Sequence, residues 1–118
     1  MKIAEIYLVN LNPTIGHEIK KKRPVVILNG GHEKHLQLAI VVPITTWNPY
    51  WKNNPFFVTI EPDSTNGLKK RSVIDCFQIR AISHERFSQK IGELTDKQME
   101  EIKKAIALIL DIEPHHCE

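Results

Sequence analysis

The apolar residues of this chain come in short runs separated by turn-forming residues, and this pattern limits the possible folds more than any other feature of the sequence. The candidate strands are residues 3–9, 24–28, 36–42, 56–61 and 72–79, with a short sixth around 90–94. Runs of this length, bounded by Asn, Gly, Pro and Asp, are typical of an antiparallel sheet or barrel. Because proline has no N–H for a strand ladder, Pro24 and Pro43 are predicted to mark strand ends.

The last quarter of the chain carries the signals of one amphipathic helix. Thr95 and Gln98 fit a capping box. Apolar side chains then recur at helical spacing at Met99, Ile102, Ile106 and Ile109. Pro114 ends the pattern, because the residue before a proline resists helical geometry. The sequence therefore predicts a helix over about residues 95–112 and a flexible tail over residues 113–118.

The 118 residues, of which 42% are hydrophobic and 25% charged, are predicted to fold as a single domain over residues 1–118. Cys76 lies in an apolar run and Cys117 is the penultimate residue, so no structural disulfide is predicted and we expect a reducing compartment. The first residues lack the apolar segment of a signal peptide, and no apolar stretch approaches the roughly 18 residues of a membrane span. We therefore expect a cytoplasmic protein with no membrane partner.

Positive charge is concentrated in the strand-rich part of the chain. Residues 1–94 carry 13 Lys and Arg against 8 Asp and Glu, whereas residues 95–118 carry 3 against 6. The densest runs are Lys20-Lys21-Lys22-Arg23 and Lys69-Lys70-Arg71. Such runs can attract a polyanion, but two solvated loops have the same appearance. Charge alone leaves both interpretations open.

No arrangement of residues in the sequence indicates a metal or cofactor site. His115, His116 and Cys117 are consecutive, and consecutive ligands cannot by themselves surround an ion tetrahedrally. His32 and His35 lie in a Gly-rich segment without the paired-cysteine spacing of a zinc site, so we interpret them as solvated. The sequence also has no phosphate-cradling glycine loop and no GxSxG elbow. We expect neither a metal nor a cofactor.

A series of short motifs extends over nearly the whole chain. NPTIGHE (residues 12–18) is followed by RPVV (residues 23–26), VVPITT (residues 41–46), Ser72-Val73-Ile74 and Gln78-Ile79-Arg80. In this order and spacing the motifs resemble the MazF/PemK family of toxin endoribonucleases. The resemblance runs from Glu5-Ile6-Tyr7 to the terminal helix.

This resemblance implies a β-rich α+β fold, namely a small SH3-like antiparallel β-barrel with a C-terminal α-helix. It also implies a homodimer that binds single-stranded RNA in a groove at the dimer interface. A cognate antitoxin is implied as well, with an acidic, extended segment that occupies the same groove. Two other functions remain open: a non-catalytic toxin of related fold, such as the gyrase-directed CcdB toxins, and an RNA binder that no longer cuts.

Metal-independent RNA cleavage uses the 2′-OH of the substrate to attack the adjacent phosphate, which leaves a 2′,3′-cyclic phosphate and a 5′-OH. The reaction needs a proton acceptor, a proton donor and charge stabilisation. By resemblance, Arg23 matches the catalytic arginine of the family and Thr45 its catalytic threonine. A guanidinium suits bidentate contact with a phosphate. Histidine is the residue type most often used as a proton carrier in catalysis, so His17 is the candidate for that role.

The chain departs from the family pattern at two places. The family commonly has Gly-Asp where this chain has Ala4-Glu5, and an acidic residue directly before the glutamine where this chain has Phe77. In a strand over residues 72–79, Asp75 and Phe77 would share one face. We expect Phe77 either to stack on a base or to belong to the core.

Asp75 is the fourth candidate for a catalytic role, with a structural pairing to Arg71 or Arg80 as the alternative. The residues expected to bind RNA are Lys20, Lys21, Lys22, Thr46, Trp47, Phe77, Gln78 and Arg80. Trp47 shares a Pro- and Asn-rich loop with Tyr50 and Trp51, and these aromatic side chains either stack on unpaired bases or cover the core.

Overall fold

Seven strands and one helix follow one another in the computed structural model, which describes residues 1–11, 16–17, 22–30 and 36–113. The strands are β1 (Glu5–Asn10), β2 (Lys22–Ile27), β3 (Leu38–Thr46), β4 (Phe57–Ile60), β5 (Ser72–Asp75), β6 (Arg80–Ser83) and β7 (Phe87–Glu93). The helix α1 spans Asp96–Ile109, and short 3-10 turns lie at Pro49–Trp51, Cys76–Gln78 and His84–Arg86.

The sheet is built around β3, which pairs with three other strands. One edge of β3 pairs with β2, and the other edge pairs first with β6 and then with β5. The order is β4-β5-β3-β2-β1-β7, with every pairing antiparallel. The predicted antiparallel sheet with a C-terminal helix is confirmed, although the hydrogen-bonded path stays open between β4 and β7 within the described ranges.

Apolar side chains are buried in two clusters on opposite faces of the sheet. One cluster packs beneath α1 and includes Ile6, Val26, Val42, Ile44, Ile74, Met99 and Ile102. The other includes Val9, Leu11, Val25, Ile27, Val41 and Ile82. Consecutive residues fall into different clusters because successive side chains of a strand point to opposite faces. Full burial of each Val or Ile stabilises the fold by about 1.5–3 kcal/mol relative to exposure.

Both prolines predicted to end strands lie inside them. Pro24 is part of β2 and lies opposite Leu8, while Pro43 is part of β3 and lies opposite Val25. Pro43 can stay in the strand because β3 changes partner there, from β6 at Val41 to β5 at Ile44. The prediction that both prolines end strands was therefore wrong. Pro43 nevertheless belongs to the last pair of the β2–β3 ladder, and Pro24 lies just beyond that pair.

The predicted strand over residues 72–79 was wrong in its second half. It ends at Asp75, whose side chain accepts a hydrogen bond from the Phe77 N–H and so caps the turn Cys76–Gln78. A separate strand, β6, then begins at Arg80 and had not been predicted. The change of direction matters for the site, because Asp75 and Phe77 no longer share a strand face.

The capping box of α1 is confirmed. The Gln98 N–H donates to Thr95 Oγ1 at 3.1 Å, and the Thr95 N–H donates to Gln98 Oε1 at 2.9 Å. The helix ends at Ile109, before the predicted boundary, and Asp111 then adopts a left-handed conformation with φ of 55°. Within the described residues no helix is long and apolar enough to cross a membrane.

The loop between β4 and β5 is fixed by a fully buried asparagine. The Asn66 amide donates to the Glu61 carbonyl at 2.9 Å, and its Oδ1 accepts from the N–H groups of Asp63 and Leu68. A Cβ built on Gly92 would stand 2.3 Å from the Asn66 carbonyl carbon, so only glycine allows β7 to approach the loop this closely. The loop is therefore held rigidly just before Lys69.

One departure from the family pattern, Ala4-Glu5, lies at the start of β1. Ala4 has a φ of 76°, a left-handed conformation that favours glycine, which is the residue the resembled family commonly has there. Glu5 follows and is nearly buried. Its Oε2 lies 2.7 Å from Lys90 Nζ, and its Oε1 accepts a hydrogen bond of 2.6 Å from the Lys2 N–H. Burial alone would raise the pKa of Glu5, but these contacts together lower it below the ordinary value of 4.5.

We predict that Glu5→Gln removes part of the acid sensitivity of folding. Because the pKa of Glu5 is lowered in the folded state, its ionised form adds stability above pH 4.5, and this contribution is lost as the pH falls through the folded-state pKa. Thermal melts should therefore show the largest gap between wild type and Glu5→Gln near neutral pH, and a shrinking gap below pH 4.5. Glu101→Gln, an exposed change on α1, is the control, and a constant gap at all pH values contradicts the prediction.

Candidate active site

A shallow depression of about 180 Å³ opens where β2 begins and β3 ends. Its lining combines strand residues with the loop before β5: Arg23, Pro24, Ile44, Thr45, Thr46, Leu68, Lys69, Lys70 and Ser72. Arg23 and Thr45, the two residues that match catalytic positions by resemblance, therefore lie together. We call this site the Arg23/Thr45 depression.

The strand register explains why these two residues meet. Val25 lies opposite Pro43, so continuing the register by two residues places Arg23 opposite Thr45. Directly opposite residues of antiparallel strands have Cβ atoms about 4.5–5.5 Å apart. Pro24 has no N–H with which to extend the ladder, and the depression opens beyond it.

Three cationic side chains line the depression, those of Arg23, Lys69 and Lys70, and none of the lining residues that the structure describes is acidic. Guanidinium, ammonium and hydroxyl groups together suit a phosphate whose negative charge grows during a reaction. Lys69 and Lys70 were not predicted as site residues, because in the sequence they stand out only as part of a charged run. Their position follows from the pairing of Ser72 with Thr46, which returns the loop to the end of β3.

Of the three aromatic side chains in the loop after β3, two pack against other residues and one is exposed. Trp51 stacks on Phe57 with ring centroids 4.4 Å apart, and the Arg71 guanidinium lies 4.3 Å above the Trp47 ring. Tyr50 is 86% exposed. One face of Trp51 and one face of Trp47 are thus already covered, which leaves Tyr50 as the most accessible ring of the three.

A larger cleft of about 560 Å³ is lined by His17, Phe77, Gln78, Ile79 and Arg80. Four of these residues, all except Ile79, were predicted from the sequence to act in catalysis or RNA binding. His17 is exposed, and it lines this cleft instead of the Arg23/Thr45 depression. The catalytic candidates Arg23 and Thr45 therefore line one depression, and His17 lines a separate cleft.

Asp75 lies under this cleft and is almost fully buried, at 6% exposure. Its Oδ1 accepts from the Phe77 N–H at 3.1 Å, and its Oδ2 accepts from Gln78 Nε2 at 2.8 Å. Burial raises the pKa of Asp75, and the two hydrogen bonds only partly oppose this effect. The alternative pairing with Arg71 is wrong, because Arg71 Nε lies 2.6 Å from Glu61 Oε1.

Phe77 is not a core residue, because its side chain is 61% exposed. It leans against Phe56, with ring centroids 5.5 Å apart and planes tilted by 56°. Asp75 supports the turn from which it projects. One face of an exposed, supported ring is available to a flat ligand at the mouth of the cleft.

The remaining candidates fall elsewhere. Lys20 and Lys21 lie outside the described residues, and so do His32, His35, His115, His116 and Cys117. Lys22 is exposed at the start of β2 and lines a third cleft. In the part of the chain that the structure describes, no three His, Cys, Asp or Glu side chains are grouped as metal ligands.

Comparison with known proteins identifies relatives of this chain. The family described as the PemK-like, MazF-like toxin of type II toxin-antitoxin system matches residues 2–110. The endoribonuclease MazF of Staphylococcus saprophyticus is 33% identical over 112 residues, which cover 95% of this chain and 92% of that protein.

Two solved structures share the fold. MazF from Deinococcus radiodurans aligns with a TM-score of 0.80 and 21% identity, over 95% of this chain and 97% of that one. An endoribonuclease solved in complex with its cognate antitoxin, from a mycobacterial species, aligns with a TM-score of 0.76 and 19% identity, over 98% and 99% of the chains.

We predict that Phe77→Ala lowers stability by less than about 1 kcal/mol, because the ring is mostly exposed. If the ring stacks on a base, the same change should weaken RNA binding by about tenfold or more, since such stacking is worth about 1–3 kcal/mol. Thermal melts and RNA titrations measure the two effects. Phe57→Ala, which removes the stacking partner of Trp51, is the matched control for stability. Unchanged affinity of the Phe77→Ala protein for RNA contradicts the stacking role.

Proposed function

The chain belongs to the PemK-like, MazF-like toxin family of type II toxin–antitoxin systems, and from this membership we propose that it is an endoribonuclease that cuts single-stranded RNA without a metal ion. The observation that carries the proposal is the position of Arg23 opposite Thr45, in a depression that also contains Lys69 and Lys70. A phosphodiester of an RNA strand fits the charge and the hydroxyl groups of this site.

In the proposed reaction the 2′-oxygen of one ribose attacks the adjacent phosphorus, and the bond from phosphorus to the 5′-oxygen of the next nucleotide breaks. The products are a 2′,3′-cyclic phosphate and a 5′-OH. The 2′-OH gives up one proton and the leaving 5′-oxygen gains one, so no water and no metal ion is consumed. The protein must supply proton carriers and stabilise the charge on the phosphate.

Arg23 is proposed to stabilise that charge. Its guanidinium donates to phosphate oxygens in a bidentate manner, so charge stabilisation is its proposed role and proton transfer is not. Thr45, opposite Arg23, is proposed to hold a phosphate oxygen through its hydroxyl. Both residues lie on strands that contribute buried side chains to both apolar clusters. The site therefore needs little reorganisation when negative charge develops on the phosphate.

His17, Phe77, Gln78 and Arg80 are proposed to bind the same RNA strand in the larger cleft. Asp75 is proposed to position Gln78 and the turn that carries Phe77. His17 is proposed as the proton carrier, which requires the RNA to bring the reacting phosphate within its reach.

Two partners are proposed besides RNA. A cognate antitoxin with an acidic segment would occupy the basic surface around Arg23, as its charge requires. A second copy of the chain is supported by an apolar stripe on β3, where Leu38 and Ile40 are 41% and 42% exposed on the same face. The RNA substrate lies in the cytoplasm, so we propose that the protein acts there.

We predict that Arg23→Ala lowers kcat/KM for RNA cleavage by about 10²–10³-fold, the usual effect of removing one group that stabilises transition-state charge. Thr45→Ala should lower it by at least about tenfold, because a hydroxyl contact to the phosphate is lost. Assays in EDTA with end-group analysis measure the rate and detect cyclic-phosphate ends. Thr59→Ala, an exposed threonine on β4, is the matched control.

A substrate with a single deoxynucleotide at the scissile position should bind but resist cleavage, because the nucleophile is missing. Cleavage of that substrate, or a requirement for added Mg²⁺, would point to metal-assisted attack by water. Binding of RNA without any cleavage would instead identify an RNA binder that no longer cuts. Neither binding nor cleavage would favour a toxin directed at a protein such as gyrase.

We predict that the rate of the wild-type enzyme changes with pH in the neutral range if His17 carries a proton. His17→Asn should then remove this inflection and lower the rate by about 10²-fold or more. Single-turnover rates measured across the pH range test this, with thermal melts to verify folding at each pH. An identical profile for both proteins would exclude His17 from proton transfer.

A further inference from the structure

Six strand ends meet at one rim of the sheet. Antiparallel pairing brings the ends of β1, β3 and β4 next to the starts of β2, β5 and β7. The Arg23/Thr45 depression occupies one part of this rim. A separate cleft of about 580 Å³ lies further along it, where β1 ends and β7 begins. We call it the distal cleft.

Polar and basic groups line the distal cleft. They come from Asn10, Lys22, Ser83, Arg86 and Ser88, and Phe87 adds an aromatic side chain to the lining. Among the described lining residues, Lys22 and Arg86 are cationic and Glu85 is acidic. An open cleft with hydroxyl, amide and cationic groups suits a sugar–phosphate chain better than an apolar small molecule, which needs an enclosed and mostly apolar pocket.

The walls of the distal cleft are fixed. Arg86 Nη1 donates to the Asn10 carbonyl at 3.2 Å, which ties the turn before β7 to the end of β1. The Ser88 hydroxyl donates to the Leu8 carbonyl at 2.9 Å. The Phe87 ring packs edge-on against Tyr7 at a centroid distance of 5.6 Å. A ligand therefore meets a surface that needs little ordering on binding, which favours affinity.

The distal cleft and the Arg23/Thr45 depression are joined through β2. Lys22 lines the first and Arg23 lines the second. Because consecutive strand residues direct their side chains to opposite faces, an RNA strand that reaches both sites must pass over the rim of the sheet. From the end of β3 to the start of β7 the rim crosses three strand spacings, roughly 14 Å along the sheet. A single strand of RNA can cover that distance with a few nucleotides.

We propose that the distal cleft binds the sugar–phosphate backbone of the RNA strand a few nucleotides away from the phosphate that is cut. The inference rests on the proposed function, since it assigns a second contact to the same substrate. Lys22 and Arg86 neutralise backbone phosphates there. The contact adds affinity for long RNA without touching the reacting atoms.

The test compares a long RNA that the protein cuts with shorter forms truncated on the 5′ or the 3′ side of the cut. Arg86→Gln removes the charge but keeps an amide that can donate to the Asn10 carbonyl, and Arg86→Lys restores the charge. Lys22→Ala probes the other side of the cleft. Lys97→Ala, on the exposed start of α1, is the control.

For the long RNA, Arg86→Gln should raise KM by about three- to tenfold with kcat unchanged, and Arg86→Lys should recover most of the loss. The slope of log Kd against log salt should fall by about 0.7, the effect of one lost phosphate contact to a single strand. One of the two truncated RNAs should show neither effect. Equal effects on all the RNAs, or an unchanged salt slope with both Arg86→Gln and Lys22→Ala, would overturn the inference.

Failure of the proposed function has a different signature, since wild-type protein would then cut none of the RNAs. In that case the Kd values, measured with the deoxy-substituted long and short RNAs, still decide the inference. Affinity of wild type that does not depend on RNA length would exclude a distal contact. Thermal melts of each variant separate lost binding from lost folding.

Discussion

The end of the β2–β3 ladder is the constraint on which the candidate site depends. The ladder stops at the pair Val25 and Pro43, and Pro24 cannot extend it because it has no N–H. Arg23 and Thr45 lie two residues further on, beyond the end of the ladder, where continuing the register places them opposite each other. The strands keep the two side chains together while the missing hydrogen bonds leave room for a ligand. A continuous ladder would have closed this part of the surface.

The features that the sequence predicted correctly are those set by local chemistry. The capping box of Thr95 and Gln98 determined where α1 begins, and the alternation of turn residues with apolar runs determined the strand-rich part. Arg23 and Thr45 were chosen by resemblance, and the register β2–β3 brings them together. No local signal in the sequence shows that one edge of β3 pairs first with β6 and then with β5. This change of partner depends on contacts between residues that are distant in sequence.

The second half of the strand predicted over residues 72–79 failed for a specific physical reason. Asp75 occupies a buried position and turns its carboxylate back to the Phe77 N–H and the Gln78 amide. This local hydrogen bonding competes with a strand ladder, as it commonly does for Asp and Asn. The run of apolar residues around Asp75 hid that competition in the sequence. Phe77 therefore lies at the surface, whereas the alternating pattern of the predicted strand had also allowed a position in the core.

The positive charge at the candidate site depends on which Lys and Arg side chains already form ion pairs with Asp or Glu elsewhere in the fold. Arg71 forms an ion pair with Glu61, which balances its charge, and its guanidinium lies over the indole ring of Trp47. Lys69 and Lys70, adjacent in sequence, instead line the depression together with Arg23. The buried Asn66 holds the loop that makes this division. A basic run that looks uniform in sequence therefore separates into one arginine paired within the fold and two lysines that line the depression.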